Sequence, residues 1–374
     1  MQTPTVLSAQ ENLVLMLRKL YEGYGYSRFP MRRFEEYALY SENKNFLTSE
    51  SVLSFTNANG KLMALKPDVT LSIVKHARAE RCGVEKLYYN ESVYRLSPTD
   101  HEFMEIEQIG VEYLGEIDLY GTCEVLRLAI ESLKLIGVSY VMDISHVGFA
   151  GGLMADAGLT SEQCAQAFAL IQQKNVHELK NQLTKWQIAP LYAERIILLP
   201  TLAGNVETTL AKAADIAIGT EMKQAVSELS KIYSVMKSLG MADHVRLDFS
   251  ILNDLAYYNG LVFQGYAMGA PRMVLSGGRY DRLMRKFGKA GDGLGFALYL
   301  DELTRILSEQ KDFDVDVLAL YTEQDDAAKV LYEVEKLQSQ GIRVLAATKK
   351  TNGLRAKTTM RFVGDALKEV DLSC

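Results

Sequence analysis

The chain has 374 residues, 48% hydrophobic and 24% charged, enough to bury more than one core and in keeping with roughly two or three domains. A formal net charge of -6 argues against a phosphate-binding surface spread over the whole protein, and the longest apolar runs, such as Ile196-Ile197-Leu198-Leu199, fall far short of the ~18 residues that span a bilayer. The first residues have neither a basic n-region nor an apolar h-region, so a cytoplasmic protein is expected, and Cys82, Cys123, Cys164 and Cys374 lack Cys-x-x-Cys spacing and read as free thiols.

Ser8-Ala9-Gln10-Glu11 has capping-box spacing ahead of Leu13, Leu17, Leu20 and Tyr21, which predicts a helix from about Ala9 to Tyr21. Gly23 to Tyr26 breaks it, and Phe29-Pro30 opens an extended edge segment. In Leu65-Lys66-Pro67-Asp68-Val69-Thr70, Asp68 is placed to cap a helix from Val69 to Ala79. The same carboxylate with the nearby Thr70 hydroxyl would also accept from an ammonium group. Leu87 to Arg95 and Phe103 to Leu114 read as two antiparallel strands joined by a loop. Side chains on a strand alternate with period two, so Gln108, Gly110 and Glu112 share a face, the glycine leaving an open notch between two polar groups. That pattern fits the floor of a small-ligand site, or a half-exposed sheet facing water. From Leu96 to Leu126 the chain carries Asp100, Glu102, Glu105, Glu107, Glu112, Glu116, Asp118 and Glu124 and no Lys or Arg, a surface expected to repel phosphate.

Residues from about 159 to 244 read as a helical insertion, opened by a second capping box at Thr160 to Gln163, between a strand near Tyr140 to Asp143 and another from Val245 to Phe249. A tyrosine-rich strand follows at Tyr257 to Phe263, then Leu275-Ser276-Gly277-Gly278-Arg279-Tyr280-Asp281, then a strand-to-helix junction from Gly293 to Leu303. Beyond Glu309, a strand (Val315 to Tyr321), a helix (Asp325 to Ser339) and a strand (Arg343 to Ala347) form a βαβ-like unit. Lys349, Lys350, Arg355, Lys357 and Arg361 form a basic cluster, either a solvated loop and edge or a dock for an acidic partner. His146, His177 and His244 lack metal-ligand spacing.

Taken together, these motifs resemble those of the histidyl-tRNA synthetase family, within class II aminoacyl-tRNA synthetases. The first helix and its Pro strand resemble motif 1, Leu65 to Thr70 the Leu-Arg-Pro-Glu-x-Thr turn, the strand pair motif 2, and Gly277 to Asp281 the Gly-Gly-Arg-Tyr-Asp strand. The resemblance implies a histidine site made by Asp68, Thr70, Gln108, Glu112, Tyr257 and Tyr258, walled by Arg95, Gly277, Gly278 and Arg279. In that site Gln108 accepts from the ammonium and Glu112 from an imidazole N–H. The departures are selective. Motif 2 reads Tyr94-Arg95-Leu96-Ser97, Asn253 replaces the arginine of Arg-Gly-Leu-Asp-Tyr-Tyr, and Glu302 stands where motif 3 places the arginine that grips ATP. Unit charges at ~4 Å interact by roughly 4 kcal/mol at an effective dielectric near 20, so reversing that charge turns attraction into repulsion.

The pattern is similar to the regulatory subunits of ATP phosphoribosyltransferase, paralogues of histidyl-tRNA synthetase. That likeness implies an α+β fold: a class II synthetase-like domain over residues 1–311, its antiparallel sheet flanked by helices and interrupted by the helical insertion, then a small α/β domain over 312–374. It further implies no catalysis, cofactor or metal of its own, L-histidine as ligand, the short catalytic subunit of ATP phosphoribosyltransferase as partner, and a homodimer within a hetero-oligomer, with no nucleic acid or membrane. A degenerate histidyl-tRNA synthetase and a free-standing histidine sensor are the alternatives.

Overall fold

The computed structural model describes residues 7–44, 47, 52–77, 83–97, 101–252, 257–307, 313–350 and 352–370. Asn253, the hairpin loop residues Pro98, Thr99 and Asp100, and Cys82 and Cys374 lie outside the described residues. The chain divides into two compact units, one over residues 10–307, the other over 308–374 with the first nine residues.

The larger unit is built on a nine-stranded sheet. Its strands run, edge to edge, Ser27–Arg28, Val84–Leu96, Phe103–Gly115, Asp292–Tyr299, Leu275–Arg279, Leu261–Ala267, Tyr140–His146, Val245–Asp248 and Ala203–Asn205. Neighbours pair antiparallel except at two places: Ser27–Arg28 beside Leu87 and Tyr88, and Tyr140–His146 beside Val245–Asp248. A parallel pair needs a crossover connection of a dozen or more residues. The helical insertion supplies it, through helices Ser161–Gln172, Val176–Lys185, Pro190–Leu198, Val206–Ile216 and Thr220–Ser238. One element there was not anticipated: Ala203–Asn205 adds a short antiparallel strand to the edge of the main sheet. Three residues give too little alternation to register in the sequence.

Helix Ala9–Gly23 buries Leu13, Leu17 and Tyr21, which recur every four residues and share one stripe. Helix Leu119–Leu135 lies over the same core, its first turn capped by Asp118 accepting from Gly121 N. A second apolar cluster joins helix Thr70–His76 to Tyr89, Tyr257 and Tyr280. The cavity described below opens beside this cluster.

In the smaller unit, Val315–Leu320 lies parallel between Val344–Ala347 and Ala356–Val363, with Ala366–Glu369 antiparallel at the far edge. Helix Ala327–Gln338 makes the crossover and buries Val330 and Val334. The βαβ unit is present as expected, and a further hairpin extends its sheet. Lys357 and Arg361 sit on one of its strands and Arg355 donates to Asp314, so the basic cluster belongs in part to an inner strand and not to a loop and edge.

Candidate functional site

The 13-residue strands Val84–Leu96 and Phe103–Gly115 pair along their whole length, and the second is paired on its other side with Asp292–Tyr299. Gln108 and Glu112, which alternation placed on one face, are both buried, at 3% and 2% exposure, so this face is no solvated sheet surface. They line a cavity of about 290 Å³ with Asp68, Thr70, Arg95, Tyr257 and Tyr258. The six residues expected to hold histidine are thus brought to one cavity. The notch at Gly110 is not open as expected: a Cβ there would lie 2.0 Å from the Phe296 carbonyl and 2.6 Å from the Tyr89 hydroxyl. Tyr89, anchored across the strand pair, fills the space the glycine leaves.

Glu112 is the most constrained group. Thr70 Oγ1 donates to its Oε1 at 2.6 Å, and the Tyr280 hydroxyl donates to its Oε2. The Tyr257 ring lies 4.8 Å from Tyr258 and 6.0 Å from Tyr280. Burial pushes the Glu112 carboxyl from 4.5 up to about 8, against the two hydroxyl bonds and with added repulsion from Asp68. Tyr89, Tyr257 and Tyr280 are raised well above the ordinary phenol value, first by burial and then by the nearby carboxylates, so they stay neutral donors.

Asp68 serves two ends. Its Oδ1 accepts from Leu71 N at 2.7 Å, capping helix Thr70–His76, while its Oδ2 stands 3.9 Å from Arg95 Nη2 at the cavity. Arg95 is held by donating Nε to the Pro67 carbonyl at 2.8 Å. Gln108 contributes a different signal. Its Nε2 is buried and has no hydrogen-bond partner among the described residues. A buried unpaired amide N–H costs about 1–3 kcal/mol, and such a donor on a cavity wall is a place where an acceptor on the ligand, such as a carboxylate, recovers that cost, whereas the ammonium expected at Gln108 needs its amide oxygen.

The tyrosine pair is not on a strand: Tyr257 and Tyr258 lie in the turn before Leu261–Ala267. Of the expected wall residues, Gly278 works by being small, since a Cβ would lie 2.7 Å from the Tyr258 ring. Gly277 faces the other way, against Phe263 and Phe296. Arg279 is also corrected. Alternation turns it to the opposite face from Ser276, where it pairs with Asp281 and Asp292 and lines a separate depression with Glu228 and Lys231. The cavity wall includes Tyr89, Ser276, Tyr280 and Tyr299, which the sequence reading had not assigned to it. Tyr280 was visible inside the Gly-Gly-Arg-Tyr-Asp motif; Tyr89 had no local signal.

The nucleotide positions look different. Glu302 lies in the short helical turn Asp301–Leu303, does not line the cavity, and approaches Arg272 at 4.0 Å. Of the eight acids between Leu96 and Leu126, Glu112 and Glu124 point inward, the latter paired with Lys86 at 2.7 Å, so the acidic surface is smaller than the count suggested. Among the described residues no cluster of three or more His, Cys, Asp or Glu could hold a metal ion, and no helix is long and apolar enough to cross a membrane.

A family model described as histidyl-tRNA synthetase matches residues 3–303. The ATP phosphoribosyltransferase regulatory subunit of Desulforamulus reducens is 30% identical over 376 residues, covering 96% of this chain and 92% of its own. The chain belongs to the family of ATP phosphoribosyltransferase regulatory subunits, which shares the histidyl-tRNA synthetase fold. Two solved structures carry the same fold. One is an ATP phosphoribosyltransferase regulatory subunit/histidyl-tRNA synthetase from Bacillus halodurans, with TM-score 0.75 and 23% identity over 90% of this chain and 88% of that one. The other is from the ATP phosphoribosyl transferase (HisG:HisZ) complex of Thermotoga maritima, with TM-score 0.61 and 19% identity over 78% of this chain and 97% of that one. For a member of this regulatory-subunit family, the expected fold class holds: a large mainly antiparallel sheet flanked by helices, with a small C-terminal sheet unit.

The carboxyl of Glu112 also makes a stability prediction. A carboxyl raised from 4.5 to about 8 on folding contributes stability below its unfolded value and loses it as pH rises through the folded one. Unfolding of the wild type should therefore become easier, relative to Glu112→Gln, as pH climbs from about 5 to about 8. Urea midpoints of both proteins at the two ends of that range check this; parallel curves would contradict it.

Proposed function

We propose that this chain is a non-catalytic regulatory subunit that binds L-histidine in the cavity and transmits its occupancy to a short-form ATP phosphoribosyltransferase catalytic subunit, as feedback inhibition of the first step of histidine biosynthesis. The assignment of Asp68, Thr70, Gln108, Glu112, Tyr257 and Tyr258 to histidine belongs to this proposal. The observation that carries it is the contrast between the cavity on the sheet and the turn that follows strand Asp292–Tyr299. The cavity presents a buried, unpaired Gln108 amide beside Glu112, whereas the position where the synthetases place their ATP-gripping arginine holds Glu302. A volume of about 290 Å³ is at the small end of ligand clefts and suits an amino acid better than a nucleotide triphosphate.

The name of the Thermotoga maritima complex, which joins two kinds of chain, supports a hetero-oligomer with a catalytic partner. A homodimer of this chain within that assembly is part of the same proposal. A degenerate histidyl-tRNA synthetase is the alternative, and ATP–pyrophosphate exchange separates the two. Calorimetry on the purified chain should give heat with histidine and none with ATP; formation of histidyl-adenylate would overturn the non-catalytic reading.

A further inference from the structure

Family resemblance casts the buried carboxylate as an acceptor for an imidazole N–H, but its surroundings suit the opposite role. Glu112 is buried at the cavity wall, where two neutral hydroxyls support its carboxyl and no cation is among the described residues that act on it. The first residue of helix Thr70–His76 supplies Thr70, whose hydroxyl it bonds, and the turn before it supplies Asp68, whose charge repels its own. Tyr280 follows strand Leu275–Arg279 and bonds the second oxygen. The neutral phenols of Tyr26, Tyr89 and Tyr257 stand within range of its charge. On strand Asp292–Tyr299, Gly295 packs against it so closely that an added Cβ would lie 1.9 Å from Oε2, and the Tyr299 phenol lines the same cavity. The cation of the cavity, Arg95, is turned to the Pro67 carbonyl and Asp68. Hydroxyl donors without a counter-charge only partly repay the burial of a carboxylate, and beside a second carboxylate such a group shifts toward its neutral form. The upward displacement of its titration agrees.

We propose that Glu112 meets its ligand as the protonated acid and gives its proton to a ring nitrogen of an imidazole side chain. The O–H bond of Glu112 breaks, an N–H bond forms on the ring, and an imidazolium–carboxylate pair results, with no other proton moved. This rests on the reading of the cavity as a histidine site. The bound pair holds one proton. Free imidazole, with a pKa of about 6.5, carries its own proton in acid solution, so binding there must expel one. Above the titration of Glu112 neither partner carries a proton, so binding must take one up. Between the two, binding exchanges none and affinity is greatest. A side chain without a basic nitrogen has nothing to receive the proton, which makes Glu112 a determinant of specificity.

The test is calorimetric titration of L-histidine into the full chain, in buffer pairs of different ionisation heat, for wild type and Glu112→Gln. For wild type, release approaching one proton is expected at about pH 5.5, close to none at about pH 7.2, and uptake approaching one at about pH 8.8, with affinity falling towards tenfold per pH unit outside the plateau. Glu112→Gln should retain the release in acid and lose the uptake in alkali, so the difference between the two proteins cancels titration of the ligand's own amino group. Uptake near one proton by wild type at neutral pH, as an ordinary ionised carboxylate would require, overturns the proposal. So does equal exchange in both proteins at alkaline pH. Should Glu112→Gln fail to fold, the wild-type proton counts decide alone. Absence of histidine heat at every pH overturns the histidine reading and this inference with it, whereas binding with the wrong proton count overturns the inference alone.

Discussion

Replacing Gly295 by alanine is expected to destabilise the larger unit by at least about 3 kcal/mol, the upper range for overpacking a well-filled interior. The added Cβ would fall 1.9 Å from Glu112 Oε2 and 2.4 Å from the Val111 carbonyl. The carboxylate could swing away, but the carbonyl is backbone in a paired strand and cannot move without disturbing the register between Asp292–Tyr299 and Phe103–Gly115. The cavity should suffer as well, since any relief at Glu112 breaks its bonds to Thr70 and Tyr280. Gly151→Ala is the control. It sits in helix Val147–Asp156 with nothing within 4 Å of an added Cβ, so helix propensity alone should make that change neutral or stabilising by up to about 1 kcal/mol. Denaturant unfolding of the two variants checks both; a loss below about 1 kcal/mol for Gly295→Ala would show that the packing is looser than described.

Glu112→Ala should weaken histidine binding by about 1.5 to 3 kcal/mol, the range for losing a hydrogen bond that involves a charged group, which is roughly 10- to 150-fold in Kd. Truncation also leaves the Thr70 and Tyr280 hydroxyls without their acceptor, so the loss should lie toward the larger figure. Calorimetry of histidine binding reads it directly. A change under about 0.5 kcal/mol would mean that the residue does not touch the ligand.

Much of this site was legible because it is written in short-range periodicity. Alternation on one strand puts Gln108 and Glu112 on one face whatever the rest of the chain does, and Pro67-Asp68 announces both a turn and a cap. Other features were legible only in kind. Gly277 and Gly278 mark close backbone approach, but which one faces the cavity depends on the register with strands Leu261–Ala267 and Asp292–Tyr299. The same uncertainty misplaced Arg279, which alternation turns away from the cavity. Tyr89 could not be found from its neighbours, because its hydroxyl reaches the Phe296 carbonyl, 207 residues away in sequence, through the gap above Gly110. Nor could the edge strand Ala203–Asn205 or the hairpin from Ala356 to Glu369, whose short segments carry too little apolar alternation to stand out from a loop.

A subunit that binds an end product and performs no chemistry acts only through a partner, and linkage makes the effect reciprocal. If histidine here weakens binding of ATP or phosphoribosyl pyrophosphate to the catalytic chain, those substrates weaken histidine binding by the same factor. The most direct measurement is the phosphoribosyl transfer rate of a co-purified short-form catalytic subunit, titrated with histidine in the presence of the wild-type chain and of Gln108→Ala. Inhibition by histidine with wild type, shifted to higher concentration with Gln108→Ala, is the predicted result; a catalytic chain that neither co-purifies nor changes its activity, or one inhibited equally in both assemblies, would contradict it.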